Sequence, residues 1–302
     1  MKTFKKSGEK SKTSFSGKTS VSKNKFTSDK FFKKDKNSIK STSRRKSSEI
    51  IHTKPKPSVS KLENRPIRLN KVIADSGITS RRNADELITS GAVKVNGRVV
   101  TTLGTKVNVD DRISVNGNPI PENDRKVYFV INKPKDIIVS VKDERDRKTI
   151  LDIMKVNTRI FPVGRLDRNT TGVLLMTNDG ELSHRLLHPS YQIERTYSVL
   201  LDKELTHKDA AQIEKGVELE DGKTSPCKVI YDPRSNKKVI MILKEGRNHE
   251  VKRIFMHLGY NVRQLDRKVF ADISAMHLQR GEYRQLTKKE VNYLKKLVGI
   301  EF

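Results

Sequence analysis

"FPVGRLDRNTTGVLLMTNDG", residues 161–180, reads as a strand end, a loop, a strand and a turn. The apolar run in "GVLLMT" (172–177) has the length of a buried strand, and Asn178-Asp179-Gly180 then turns the chain. Between "IFPV" (160–163) and that strand lies a loop with one carboxylate, Asp167, set between the guanidinium groups of Arg165 and Arg168. Asp167 therefore sits at the lip of a sheet, where loops on a rigid scaffold commonly carry reactive groups. The stretch Arg168-Asn169-Thr170-Thr171-Gly172 is rich in side chains that hydrogen-bond locally and stiffen a loop. Two readings stand side by side. Asp167 is either an exposed ion pair, worth about 0–1 kcal/mol, or a reactive carboxylate whose arginines serve a polyanion.

Strand and helix patterns spread outward from this loop. "VYFVINKP" (127–134) reads as a buried strand stopped by Pro134, and "IIVSV" (137–141) as another. "ELSHRLLHP" (181–189) is a short helix ended by Pro189, and "RTYSVLL" (195–201) and "KKVIMILKEG" (237–246) are further strands. In "NHEVKRIFMHLG" (248–259), Val251, Ile254, Phe255 and Leu258 recur at helical spacing. Lys252 borders that apolar stripe and Arg253 points nearer to solvent, so Lys252 is the cation able to reach inward. Its other fate is a stem along the core with its head in water. Tyr197, on a strand, reads by itself as half-buried packing.

Upstream, the pattern becomes a small module. "RLNKVIADSG" places Leu69, Val72 and Ile73 on one helical face and ends at Gly77. A second helix, "SRRNADELITSG", has Ser80 as N-cap and Gly91 as stop. "VKVNGRVV" and "RISVNGNPI" are hairpins about Asn96-Gly97 and Asn116-Gly117. Two helices and a small sheet exposing Arg81, Arg82, Lys94 and Arg98 suit gripping a phosphate backbone. Residues 1–65 are different: rich in Lys, Ser and Thr, with 20 basic against 5 acidic residues and no period. That composition cannot bury enough apolar area to offset its ordering entropy, so a disordered basic tail is expected.

The net charge of +27, of which +15 lies in the tail, points to nucleic acid, since each cation that meets a phosphate releases counterions. No apolar run approaches the roughly 20 residues of a membrane span. A single cysteine, Cys227, forms no intrachain disulfide and suits a reducing, cytoplasmic compartment. His184 and His188 stand at metal-ligand spacing, but no Glu lies at the usual place between them and Pro189 follows, so no metal is expected.

Two resemblances sharpen this reading. Residues 67–115 resemble the S-four RNA-binding domain through "RLNKVIADSGITSRRNADELI" and "GAVKVNGRVV", which implies RNA contacts at Arg81 and Arg82. Residues 127–286 resemble the pseudouridine synthases of the RsuA type through "VINKPKDIIVSVKD", "FPVGRLDRNTTGVLLMTNDGELSHRLLHP", "ERTYSV", "GVELEDGKTSPCKV" and "LKEGRNHEVKRIFMHLGYNV". The implied fold is α+β: a tail (1–65), a small α/β RNA-binding module (66–125), and a catalytic domain (126–302) around a mixed, largely antiparallel sheet flanked by helices. The implied reaction isomerises uridine to pseudouridine without a cofactor. Asp167 would be its catalytic carboxylate, Lys252 the basic partner, and Tyr197 the aromatic side chain against the uracil. A uridine in folded RNA must be flipped out to react. Arg165 would fill the vacated space, with Arg168, Arg247 and His249 as backbone contacts. Gln264 and Asp266 stand where relatives often carry basic residues. The implied partner is ribosomal RNA, bound by a monomer; "SRRNADELI" and "TTLGTKV" resemble members acting on 23S rather than 16S rRNA. A ribosome-assembly factor that binds RNA without catalysis is the rival reading.

Overall fold

Apolar residues at helical spacing and at alternating spacing follow one another along the chain, and they gather into separate cores. The computed structural model describes residues 66–121, 125–141, 143 and 145–300, all within one compact unit. The expected tail, 1–65, lies outside the described residues.

The first core belongs to a small module: β1 (Ile67–Arg68), α1 (Leu69–Asp75), α2 (Arg81–Thr89), β2 (Val93–Val95), β3 (Arg98–Val99), β4 (Lys106–Val107), β5 (Ile113–Val115) and β6 (Asn118–Pro119). Ser80 caps α2 by accepting the Asn83 amide at 3.1 Å. Leu69, Ile73, Ala84 and Ile88 from the helices meet Val93, Val107, Ile113 and Val115. No residue of that core lies beyond Ile120, and the next cores begin at Val127.

The second part comprises β7 (Tyr128–Lys133), β8 (Phe161–Pro162), β9 (Thr171–Thr177), α3 (Gly180–Leu187), β10 (Arg195–Leu201), α4 (His207–Lys215), β11 (Glu218–Leu219), β12 (Gly222–Lys223), β13 (Lys228–Asp232), β14 (Ser235–Leu243), α5 (Glu250–His257), β15 (Val262–Phe270), β16 (Ile273–Ser274), β17 (Tyr283–Gln285) and α6 (Lys288–Leu297). Its main sheet runs β13-β14-β10-β15-β9-β7-β17, with β16 on β15 and β8 on β9. Every pair is antiparallel except β15 with β9, so the sheet is mixed and largely antiparallel.

That parallel pair is a seam. It sets Thr171 beside Asp266 and Gly172 beside Arg267. Gly172 has φ +107°, and a Cβ there would lie 2.2 Å from the Arg267 carbonyl, so only glycine lets the two strands meet. On one side of the seam, Val199, Val239, Met241 and Leu265 pack with Ile213 of α4 and Phe255 of α5. On the other, Val130, Val173 and Leu175 pack with Leu182 of α3 and Leu294 of α6. The loop bearing Asp167 leads into the seam.

One expected strand is absent. Residues 137–141 form only a single bridge, Ile138 to Thr149, although Ile137 is buried in the core. The apolar residues there serve to pack a loop down, and apolar composition alone does not distinguish the two cases.

Candidate active site

The loop before β9 places the Asp167 carboxylate between two basic side chains from the start of α5. Lys252 Nζ lies 2.5 Å from Oδ2, and His249 Nδ1 lies 3.0 Å from Oδ1. Arg253, the next residue, turns away and makes a bidentate pair with Asp221 at 2.9 Å. Burial pushes the Asp167 carboxyl up, but the Lys252 ammonium and His249 outweigh it and hold the group below the usual carboxylate value. About a quarter of the Asp167 side chain stays exposed, on a cleft it lines with Arg165, Thr170, Tyr197, His249 and Glu250. A fixed, ionised carboxylate facing an aromatic ring across a partly dry cleft can act as a nucleophile or as a base.

Beneath the loop sits a lysine that the sequence reading overlooked. Lys133, at the end of β7, is fully buried, and its Nζ donates to the carbonyls of Pro134, Arg168 and Thr170 at 3.0, 3.1 and 2.9 Å. Burial drives its pKa down to about 8, against the pull of Asp167 and Asp136. Three carbonyls bound to one ammonium pin the backbone on both sides of the loop. The signal was visible: a lysine inside an apolar strand and directly before proline.

The RNA pseudouridylate synthase family profile matches residues 127–257, and the S4 domain profile matches 67–113. Ribosomal large subunit pseudouridine synthase B of Bacillus subtilis is 43% identical over 239 residues, covering 76% of this chain and 96% of that protein. The chain belongs to the RNA pseudouridylate synthase family. Dual-specificity RNA pseudouridine synthase RluF of Escherichia coli is 34% identical over 239 residues, covering 78% of this chain and 81% of that protein. A crystal structure of a pseudouridylate synthase matches with 33% identity and a TM-score of 0.56, covering 76% of this chain and 99% of that one.

Within this pseudouridylate synthase, the other sequence-derived candidates scatter more widely. Arg165 is exposed and donates to Asn248 Oδ1 at 3.2 Å, which leaves most of its guanidinium open to the cleft. Arg168, also exposed, lies 3.4 Å from Asp136. Two assignments differ from expectation. His249, read as a backbone contact, also lies 3.0 Å from Asp167 Oδ1 through Nδ1, while most of its side chain stays exposed; it has a left-handed backbone (φ +50°) at the start of α5. Arg247, read likewise, has its guanidinium taken up by the Gly222 and Lys223 carbonyls, Asp221 and Glu245, so it ties down the β11–β12 hairpin.

The S4 module shows a further difference. Arg81 and Arg82 are exposed at the start of α2. In the sheet, Lys94 pairs with Val99 and Ser114, whereas Arg98 pairs with Val95, a neighbour of core residue Ile113. Alternation along a strand therefore puts Lys94 and Arg98 on opposite faces, and the four cations do not form one surface.

Proposed function

We propose that this isomerase converts a specific uridine of ribosomal RNA, in the 23S molecule, to pseudouridine, with Asp167 as the reacting carboxylate. The observation that carries the reading is the Asp167 clamp in a cleft shared with Tyr197. The kinship with a large-subunit enzyme along nearly that enzyme's whole length supports the choice of RNA.

The reaction breaks the bond from base nitrogen 1 to ribose carbon 1′, turns the base, and joins its carbon 5 to the same ribose carbon; carbon 5 loses a proton and nitrogen 1 gains one. Electrons and atoms balance without a redox partner. Attack on the base, attack on the sugar and removal of the ribose 2′ proton all require Asp167 ionised and held still, which is the service of Lys252. Tyr197 offers its ring to the flipped uracil, and Arg165 fills the gap the nucleotide leaves in the RNA. Arg168 meets phosphate at the cleft mouth, while Arg81, Arg82 and Arg98 grip structured RNA from the module at 66–125, ahead of the catalytic domain at 126–302. The enzyme acts in the cytoplasm as a monomer; among the described residues no helix is long and apolar enough to cross a membrane.

The test is pseudouridine mapping by carbodiimide and reverse transcription on total rRNA, from cells with and without the gene, and from cells carrying Asp167→Ala. One stop in 23S rRNA is lost without the gene and stays lost with the variant. A lost 16S stop overturns the choice of subunit. No lost stop overturns the enzyme and leaves the RNA-binding assembly factor.

A further inference from the structure

A second cleft, of about 510 Å³, lies between the small module and the catalytic domain and shares no residue with the cleft at Asp167. Lys71, Asp75 and Arg81 line it from α1 and α2; Arg159, in the loop before β8, and Glu181 and His184 of α3 line it from the other side. Its charges are unevenly matched. Lys71 stands 4.0 Å from both Asp75 and Glu181, and Glu181 also holds Arg185 at 2.7 Å, so each carboxylate already faces a cation of the protein. Arg81 has only a long contact with Asn70 Oδ1, at 3.5 Å. The Arg159 guanidinium has no hydrogen-bond or ion-pair partner among the described residues, although the residue is half-buried and burial draws its pKa down. A charge withdrawn from water costs free energy unless a partner replaces the lost hydration. The described chain supplies none, and Arg159 is left facing the cleft.

What would fill it follows from where the cleft lies. Helix α3 joins it to the active site. The first residue of α3, Gly180, sits against the end of α1: a Cβ there would lie 3.6 Å from Asp75 Oδ1. The last, Leu187, packs on Gly164, where a Cβ would lie 2.9 Å from the Leu187 methyl. Gly164 directly precedes Arg165, which lines the Asp167 cleft. Eight helical residues span about 12 Å. A polyanion seated at Asp167 therefore extends over the second cleft, whereas a small anion would gain nothing from that alignment. The volume admits a phosphate with its ribose.

We propose that this cleft is a second RNA-binding site, in which Arg159 and Arg81 hold a backbone phosphate of the same RNA whose uridine enters the cleft at Asp167. The inference rests on the RNA-isomerase reading given above. One guanidinium comes from the module and the other from the catalytic domain, so a phosphate between them fixes the RNA against both parts at once. Contacts of this kind set register without reading sequence.

The experiment is phosphate-ethylation interference on a transcript of the rRNA segment around the mapped uridine, with filter binding from about 50 to 300 mM salt, for the full-length wild type, R159Q and R159K. In the wild type, ethylation at one phosphate is expected to block binding through Arg159. R159Q becomes indifferent to that phosphate and keeps the other interferences. Its Kd rises about tenfold at about 100 mM salt, and its salt slope falls by about one. R159K keeps the charge without the planar fork, so it retains the slope and recovers part of the affinity. An R159Q pattern and slope equal to those of the wild type overturn the site. Interference weakened alike at every phosphate in both variants overturns it too, since Arg159 would then serve the scaffold rather than one contact. A wild type that shows the phosphate but forms no pseudouridine would be the failure of the catalytic reading and would leave this site standing.

Discussion

Asp167 opens the loop 167–171, Asp266 on β15 accepts the hydroxyl of Thr171 at its other end, and each carboxylate touches two basic side chains. Asp167 has Lys252 and His249; Asp266 has Lys268 at 2.5 Å and Arg280 at 2.9 Å. The difference lies in what remains. Asp266 also accepts the Thr171 hydroxyl at 2.8 Å and keeps only 14% of its side chain exposed, and these donors overcome burial to hold it at about 2. Asp167 has only a long contact from the Thr170 hydroxyl, 3.4 Å, as a further side-chain donor, and twenty-six per cent of its side chain faces the cleft. A largely buried carboxylate held by three donors can fix a strand but has little left with which to react. One that is ionised, braced on one side and open on the other can do both.

Removing the reacting oxygen should have the largest effect. Asp167→Asn keeps the shape of the loop and lowers single-turnover pseudouridine formation by at least about 10³-fold. RNA affinity, measured by filter binding, stays within about threefold, because Asp167 supplies no cation for phosphate. Next comes its brace. Lys252→Met lowers the rate about 10²-fold and changes its pH dependence. Asp167 is held below the ordinary carboxylate value, so activity is present above its pKa and lost as pH falls through it. Without the ammonium that pKa rises, and the acid limb of the rate profile must move to higher pH. An unmoved limb would assign it to another group.

How much of this was legible in the sequence follows from the range of the interactions. The pairing of Asp167 with Lys252 was legible from two sources together: a helical stripe of four apolar residues that lets Lys252 rather than Arg253 reach inward, and the resemblance that places a basic partner there. The hairpins at Asn96 and Asn116 were legible for the same reason, since both asparagines adopt φ +51° before a glycine. His249 on Asp167 was not, because it depends on one left-handed residue at the helix start, and nothing in the flanking sequence marks that position as left-handed. Nor was Asp266 beneath Thr171: the seam joins residues 95 positions apart, and nothing near either one announces the other. The stretch at 137–141 shows the opposite error. Its composition suits a strand, but no neighbouring strand lies in register with it, and a strand without a ladder is a loop.

A third prediction probes the floor between the two carboxylates. Lys133→Met leaves three carbonyls without their donor and lowers the rate about tenfold, as the loop loses its anchor. It also removes a titration whose sign is unusual. Lys133 is depressed to about 8 when folded, so between that pH and the ordinary lysine value the unfolded chain binds the proton that the native chain has released. Native stability therefore gains with pH across that window, by about 2 kcal/mol between pH 8 and 9.5. Urea unfolding at those two pH values should show the gain in the wild type and not in the variant.

Asp266→Asn should affect chemistry least and stability most distinctly. The amide oxygen can still accept the Thr171 hydroxyl, so the seam holds and the rate stays within about fivefold. What disappears is the charge that gathers Lys268 and Arg280. A carboxyl held at about 2 in the folded state contributes stability above its unfolded value and loses it as pH falls from about 4 toward 2, some 2 kcal/mol in all. The wild type should thus exceed the variant by that amount at pH 7, with the gap shrinking at pH 3. If instead Asp266→Asn abolished the reaction while leaving stability unchanged, the contrast would be reversed: Asp266 would be the working group and the clamp at Asp167 a structural one.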